Sequence, residues 1–154
     1  MPMLPVKRIL CPTDFSVPAC SCVQVANELA LHFNAELLLV NIVPVIPTAP
    51  PDPNYVFKVP EYERYLHMDA EKHLAEVQRD LIDPKVRVRT LVGHGSAADE
   101  IVATAEQEQA DLIVISTHGS TGLERLVFGS VAERVVRLAK VPVLTVRQAE
   151  KEGE

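Results

Sequence analysis

An excess of basic residues is missing: 15 Lys and Arg stand against 21 Asp and Glu, a net charge of −6 and a sequence pI near 5.4. That balance excludes nucleic acid or an anionic membrane as the main partner, because both need a basic surface to neutralise phosphates. Any phosphate site must then be local, resting on backbone dipoles and a few side chains. A bilayer-spanning stretch is missing too, since the greasiest run, residues 37–47, contains Asn41 and prolines. The opening Met1-Pro2-Met3-Leu4-Pro5 lacks the basic-then-apolar pattern of a signal peptide, so no membrane role and a cytoplasmic location are expected. Paired cysteines are absent as well. Cys11, Cys20 and Cys22 are odd in number, and Cys20-x-Cys22 has neither metal-ligand nor redox spacing. Free thiols in a reducing compartment are the expectation, with a thiol sensor at Cys11 as its competitor.

What remains is an ordinary soluble composition, 47% hydrophobic and 23% charged, and 154 residues predict one domain with a real core. Residues 6–11 read as a short apolar strand broken by Pro12-Thr13-Asp14-Phe15-Ser16. A helix follows, capped by Ser16 or Asp14, with Pro18 in its first turn and Val23, Ala26, Ala30 and Phe33 at helical spacing; Asn34 ends it. Residues 37–43 form a second strand, apolar almost throughout and therefore buried on both faces.

Six of the twelve prolines then fall within residues 44–60, a stiff exposed loop of the kind that is usually functional. Tyr62, Leu66, Ala70, Leu74, Val77 and Leu81 mark a helix that stops before Pro84. Residues 85–92 alternate charge with apolar side chains, predicting a strand near a sheet edge with Arg87 and Arg89 on a solvated face. Gly93-His94-Gly95-Ser96 turns into a third helix, where Ser96-x-x-Asp99 resembles a cap and Ile101, Val102 and Ala105 face inward. Val131, Val135 and Leu138 stripe a last helix, residues 141–146 form a fifth strand, and residues 148–154 are a charged tail after a domain spanning 1–147. Strand and helix alternate throughout, so the fold class is α/β with a parallel, doubly wound sheet. Ligands bind such sheets beyond the carboxyl ends of the strands, where strand order reverses.

The most informative stretch begins at Leu112-Ile113-Val114-Ile115, a run too short for a globular helix and rich in β-branched residues, hence a buried strand. It breaks into Ser116-Thr117-His118-Gly119-Ser120-Thr121-Gly122 and later reaches Gly129-Ser130-Val131-Ala132-Glu133. Ser130 and Glu133 fit a capping box, so a helix starts near Ser130. Its first turn leaves N–H groups without intrahelical partners at the positive end of the helix dipole, a place where an anion fits. Gly119 and Gly129 let a phosphate approach the backbone, and the Ser130 hydroxyl can donate to it. The competing reading is a simple cap and turn.

Pro12-Thr13-Asp14-Phe15-Ser16 after the first strand, together with Ser116-x-x-Gly119, nine residues and Gly129-Ser130, resembles the universal stress protein family over nearly the whole chain, including the closing Val141-Pro142-Val143-Leu144. The family's nucleotide motif is glycine, two residues, glycine, nine residues, then glycine with serine or threonine. Here Ser116 stands at the first glycine position, and a side chain there would obstruct a ligand if the backbone must come close. The resemblance implies a five-stranded sheet of order 3-2-1-4-5 with ATP, or AMP or ADP, bound between strands 1 and 4 together with Mg²⁺ or Mn²⁺. It implies that Asp14 contacts the ribose or, indirectly, the metal, and that Pro12 and Thr13 line the nucleoside site. Ile42 would present its main chain to adenine, while Gly119, Ser120, Gly129, Ser130 and Val131 hold phosphates.

His118 is then a phosphate donor or a solvated loop residue, and Asp14 has an alternative role in an Asx turn. His94 is pocket rim at most, because strands 3 and 4 lie three spacings apart. Arg125 belongs to the segment expected to order around a ligand, and the proline-rich loop would cover the adenine side. With no Gly-x-x-x-x-Gly-Lys and no nucleophile-base pair, rapid hydrolysis is not expected, although slow hydrolysis is compatible with the motif. The resemblance further implies a homodimer along the last strand, Val143–Val146, whose apolar edge would otherwise invite uncontrolled pairing. Two other readings compete: a dimeric interaction module of the same fold that binds no nucleotide, favoured by Ser116, and a phosphotransfer or hydrolytic enzyme using Asp14 and His118.

Overall fold

The computed structural model describes residues 4–45, 59–118 and 128–148. Five strands and four helices alternate: β1 (Arg8–Pro12), α1 (Val17–Phe33), β2 (Glu36–Val43), α2 (Val59–Leu81), β3 (Val88–His94), α3 (Ala97–Gln107), β4 (Leu112–Ser116), α4 (Ser130–Leu138) and β5 (Val143–Val146). Every strand pair is parallel, and the order is β3-β2-β1-β4-β5, as expected. Strand order reverses between β1 and β4.

The uninterrupted apolar runs resolve into two faces because alternate side chains of a strand point oppositely. Ile9, Cys11, Leu37 and Leu39 face α1 and α2, meeting Val23, Ala26, Ala30 and Leu74. Leu10, Leu38, Val40, Ile113 and Ile115 face α3 and α4, meeting Ala98, Ile101, Ala105, Ala132 and Val135. The inward helix faces are rich in alanine, so the helices sit close to the sheet. Ser16 caps α1 by accepting from the Ala19 N–H at 3.3 Å, and Asn34 ends it in the left-handed region with φ 53°.

Three element starts differ from the sequence reading for a local reason. β3 begins at Val88 instead of residue 85, because Asp83 turns the chain: its carboxylate accepts from the Lys85 N–H (2.8 Å) and its carbonyl from the Val86 N–H (2.9 Å). α2 begins at Val59, so Pro60 belongs to its first turn, where a missing N–H costs nothing. β5 begins at Val143, just after Pro142, which has no N–H to give a ladder. Ser96 is the N-cap of α3 but makes no side-chain cap bond. Most of the proline-rich loop (46–58) and the tail from 149 onward lie outside the described residues. No helix among those described is long and apolar enough to cross a membrane.

Arg89 is more than a solvated strand residue. At the amino ends of the strands Glu36 pairs with Arg89 (2.7 Å) and Arg8 (3.3 Å), and Arg89 also reaches Glu108 (2.6 Å). The hydrogen bond from Arg89, helped by both positive charges, holds the Glu36 carboxyl below its ordinary value against a smaller opposing effect of burial. A carboxyl depressed by folding contributes stability that is complete above its unfolded value and is lost as pH falls through the folded one. Glu36 is 20% exposed and its partners about twice that, so the contribution is small. Glu36→Gln should lower Tm at pH 7 by about 1 to 3 °C. That difference should shrink as pH falls through the carboxylate range in melts followed by circular dichroism.

Candidate functional site

A cleft of about 250 Å³ opens at the carboxyl ends of β1, β2 and β4, at the point where strand order reverses. Its first wall is the turn after β1. The Thr13 N–H donates to the Val40 carbonyl (2.9 Å), and the Thr13 hydroxyl accepts from the Phe15 N–H (3.1 Å). Phe15 takes φ 66°, which reverses the chain, and both the N–H (3.0 Å) and the hydroxyl of Ser16 donate to the Asp14 carboxylate. The Asx turn at Asp14 therefore exists, and it also leaves Asp14 exposed on the cleft wall.

The second wall is the end of β4. Ser116 is the last strand residue and needs no positive φ; its hydroxyl donates to the His118 carbonyl at 2.6 Å. The side chain that departs from the family motif is thus folded back onto its own loop. Thr117 is buried: its N–H donates to Val146 (3.1 Å), and its hydroxyl lies 3.0 Å from His118 Nδ1. The Thr117 carbonyl accepts from the Gly129 N–H at 2.6 Å, which pins together the two ends of the segment between β4 and α4.

The third wall is the start of α4, where the capping box does not form. Gly129 is the N-cap, Ser130 is the first helical residue, and no side chain caps the helix. Glu133 instead pairs with Arg137 one turn on, the nearer opposite charge, while its N–H donates to the Gly129 carbonyl (3.0 Å). Ser130 is exposed at the cleft with its hydroxyl uncommitted to capping, beside N–H groups that the helix cannot pair.

Nine sequence-predicted residues are brought together as lining: Pro12, Thr13, Asp14, Ile42, Ser116, His118, Gly129, Ser130 and Val131. Gly119, Ser120 and Arg125 lie outside the described residues. Asn41, Thr117, Ala97 and Ile101 also line the cleft and were missed. Asn41 had a signal, as the one polar residue in the apolar run 37–43; its amide donates to the Thr13 carbonyl at 2.8 Å. Ala97 and Ile101 had none, because their place depends on how α3 crosses the sheet.

His94 does not reach the rim. It faces His67 of α2, Nε2 to Nδ1 at 2.9 Å, with ring planes 6° apart and centroids separated by 5.1 Å. A nitrogen contact shorter than any ring-stacking distance means that the rings lie edge to edge, joined by a hydrogen bond between ring nitrogens. Among the described residues no cluster of three or more His, Cys, Asp and Glu is placed to hold a metal. Cys11 is fully buried, and a hydrogen bond with the Cys22 thiol, added to burial, pushes its thiol well above the ordinary value, which leaves the thiol-sensor reading without support.

Comparison with known proteins agrees with this architecture. The sequence model of the universal stress protein family matches residues 5–147. Universal stress protein MJ0531 of Methanocaldococcus jannaschii is 36% identical over 148 residues, covering 95% of this chain and 85% of that protein. The solved structure of MJ0577 from the same organism is similar with a TM-score of 0.79 at 25% identity, covering 95% of this chain and 99% of that one. The fold is shared, at 17% identity and a TM-score of 0.61, by a universal stress protein family member of Arabidopsis thaliana solved with AMP bound, over 96% of each chain. By its matched length, its strand order and its relatives, this chain belongs to the universal stress protein family.

Proposed function

We propose that this protein binds ATP, or AMP or ADP, in the cleft between β1 and β4, and that it works as a nucleotide-dependent stress or signalling protein of the cytoplasm. The observation that carries the reading is the Gly129 to Thr117 closure, which sets the unpaired N–H groups of α4 beside the polar end of β4 and opposite Asp14. Asp14 and Ile42 flank the nucleoside end; Gly129, Ser130, Val131 and His118 take the phosphates, joined by Gly119, Ser120 and the backbone near Ser116. Phosphate charge meets helix dipole and N–H donors, in keeping with an acidic chain.

Mg²⁺ or Mn²⁺ suits this donor set as a companion of the nucleotide, since Mg²⁺ is commonly held by one or two carboxylates plus substrate phosphates, and Asp14 supplies one. The chemistry is binding, with hydrolysis slow, in keeping with a sequence that has no Gly-x-x-x-x-Gly-Lys motif. The AMP complex of the Arabidopsis relative supports the ligand class. A homodimer along β5 completes the reading, supported by a strand at the sheet edge whose Leu144 is 39% exposed.

Calorimetry with ATP and AMP in the presence of Mg²⁺, on protein stripped of carried-over nucleotide, tests the reading. Micromolar ATP affinity is the expected result. A folded protein that binds neither ligand at millimolar concentration would overturn it in favour of the dimeric interaction module.

A further inference from the structure

We propose that Gly93, which does not line the cleft, sets its width at the β2 end and so determines whether a two-ring base is accepted. The inference rests on the nucleotide reading above and adds a specificity position to it. Gly93 lies directly beside Ile42 in the parallel β2/β3 ladder. Neighbours in register point to the same face, here the one covered by α3 and α4, against which Ile42 packs. The backbone does not require glycine at this position, since Gly95 is the glycine with positive φ among the described residues. The requirement is space. A Cβ added at Gly93 would stand 2.6 Å from Ile42 Cδ1, so the end of the isoleucine occupies the volume that any other residue would fill.

Ile42 therefore leans over β3, away from the cleft that it lines. A methyl group at position 93 removes that seat. Ordinary contact begins at 3.4 Å, so Cδ1 must move by close to an ångström. β3 blocks one side and Glu100 of α3, with its Cβ 4.0 Å from the same point, covers the top. The direction left is toward β1, where Pro12 and Thr13 form the opposite wall. The cleft narrows between these walls, which penalises a purine more than a pyrimidine. The moving atom is the far end of a flexible side chain, so the substitution leaves the fold intact.

The test is calorimetric titration of the full chain with ATP and UTP, for wild type, Gly93→Ala, Ile42→Val and Gly93→Ala/Ile42→Val, with melting curves to verify folding. Gly93→Ala should weaken ATP about tenfold and change UTP less than about twofold, the scale of a misplaced methyl in a pocket. The double variant, which lacks Cδ1, should return ATP affinity to that of Ile42→Val. Gly93→Ala binding ATP like wild type overturns the role of Gly93 alone, and so does a loss that the double variant does not repair. A wild type that binds neither nucleotide overturns the nucleotide reading and this role with it.

Discussion

Gly129→Val is expected to weaken nucleotide binding by about 100-fold or more while leaving the chain folded. The glycine is not there for backbone freedom, since its φ of −71° and ψ of 163° suit any residue. It is there for proximity. A Cβ at this position would stand 3.1 Å from the Thr117 carbonyl oxygen and 3.8 Å from His118 Cα, both of them backbone atoms with little room to yield. The same carbonyl receives the Gly129 N–H at 2.6 Å, so a branched side chain must pry apart the contact that sets α4 against β4. Displacing the first turn of α4 moves the N–H donors out of register with the β1 wall.

An affinity loss of about 100-fold or more is expected in calorimetry. Overpacking of this kind should cost about 1 to 3 kcal/mol of stability, visible as a lower Tm. Gly129→Ala, with one carbon at the limit of tolerance, should fall between. Wild-type affinity in the valine variant would show that nucleotide, if bound, sits elsewhere.

Asn41→Leu should give the second largest effect, through a residue that touches both halves of the nucleoside wall. The Asn41 amide donates to the carbonyl of Thr13, itself a buried residue whose hydroxyl and N–H are already engaged. Leucine keeps the bulk and strand preference but leaves that carbonyl unpaired, a cost of about 1 to 3 kcal/mol. The turn that carries Asp14 loses one of its two ties to β2, and ATP affinity should drop by about tenfold. Asn41→Asp places an acceptor against the Thr13 carbonyl and should weaken ATP and AMP by similar factors, because Asn41 holds the nucleoside wall and the phosphates lie against α4. A loss much greater for ATP than for AMP would place the phosphates beside Asn41 instead.

Much of this site was legible in the sequence because its signals are local. The break Pro12-Thr13-Asp14-Phe15-Ser16 after an apolar run, and the glycine-serine pair ahead of an amphipathic stretch, each lie within a few residues. Where two local rules competed, sequence reading went astray. Ser130 and Glu133 satisfy the spacing of a capping box, yet Gly129 takes the cap because its amide is held by Thr117, and Arg137 claims Glu133. Lys85 and Val86 alternate like strand residues, yet Asp83 keeps them in a turn.

The sequence by itself determined the alternation of strands and helices, the burial of β1, β2 and β4 on both faces, and the two loops that carry the polar chemistry. Periodicity and chain-breaking residues encode these at short range. Tertiary structure alone decided that Asn41 holds Thr13 across 28 residues, that the hydroxyl of Ser116 folds back onto its own loop, and that Gly93 makes room for Ile42. The long-range contacts follow from the register of parallel strands joined by long crossovers. Register is settled by the packing of a whole sheet against its helices, and no short stretch of sequence contains it.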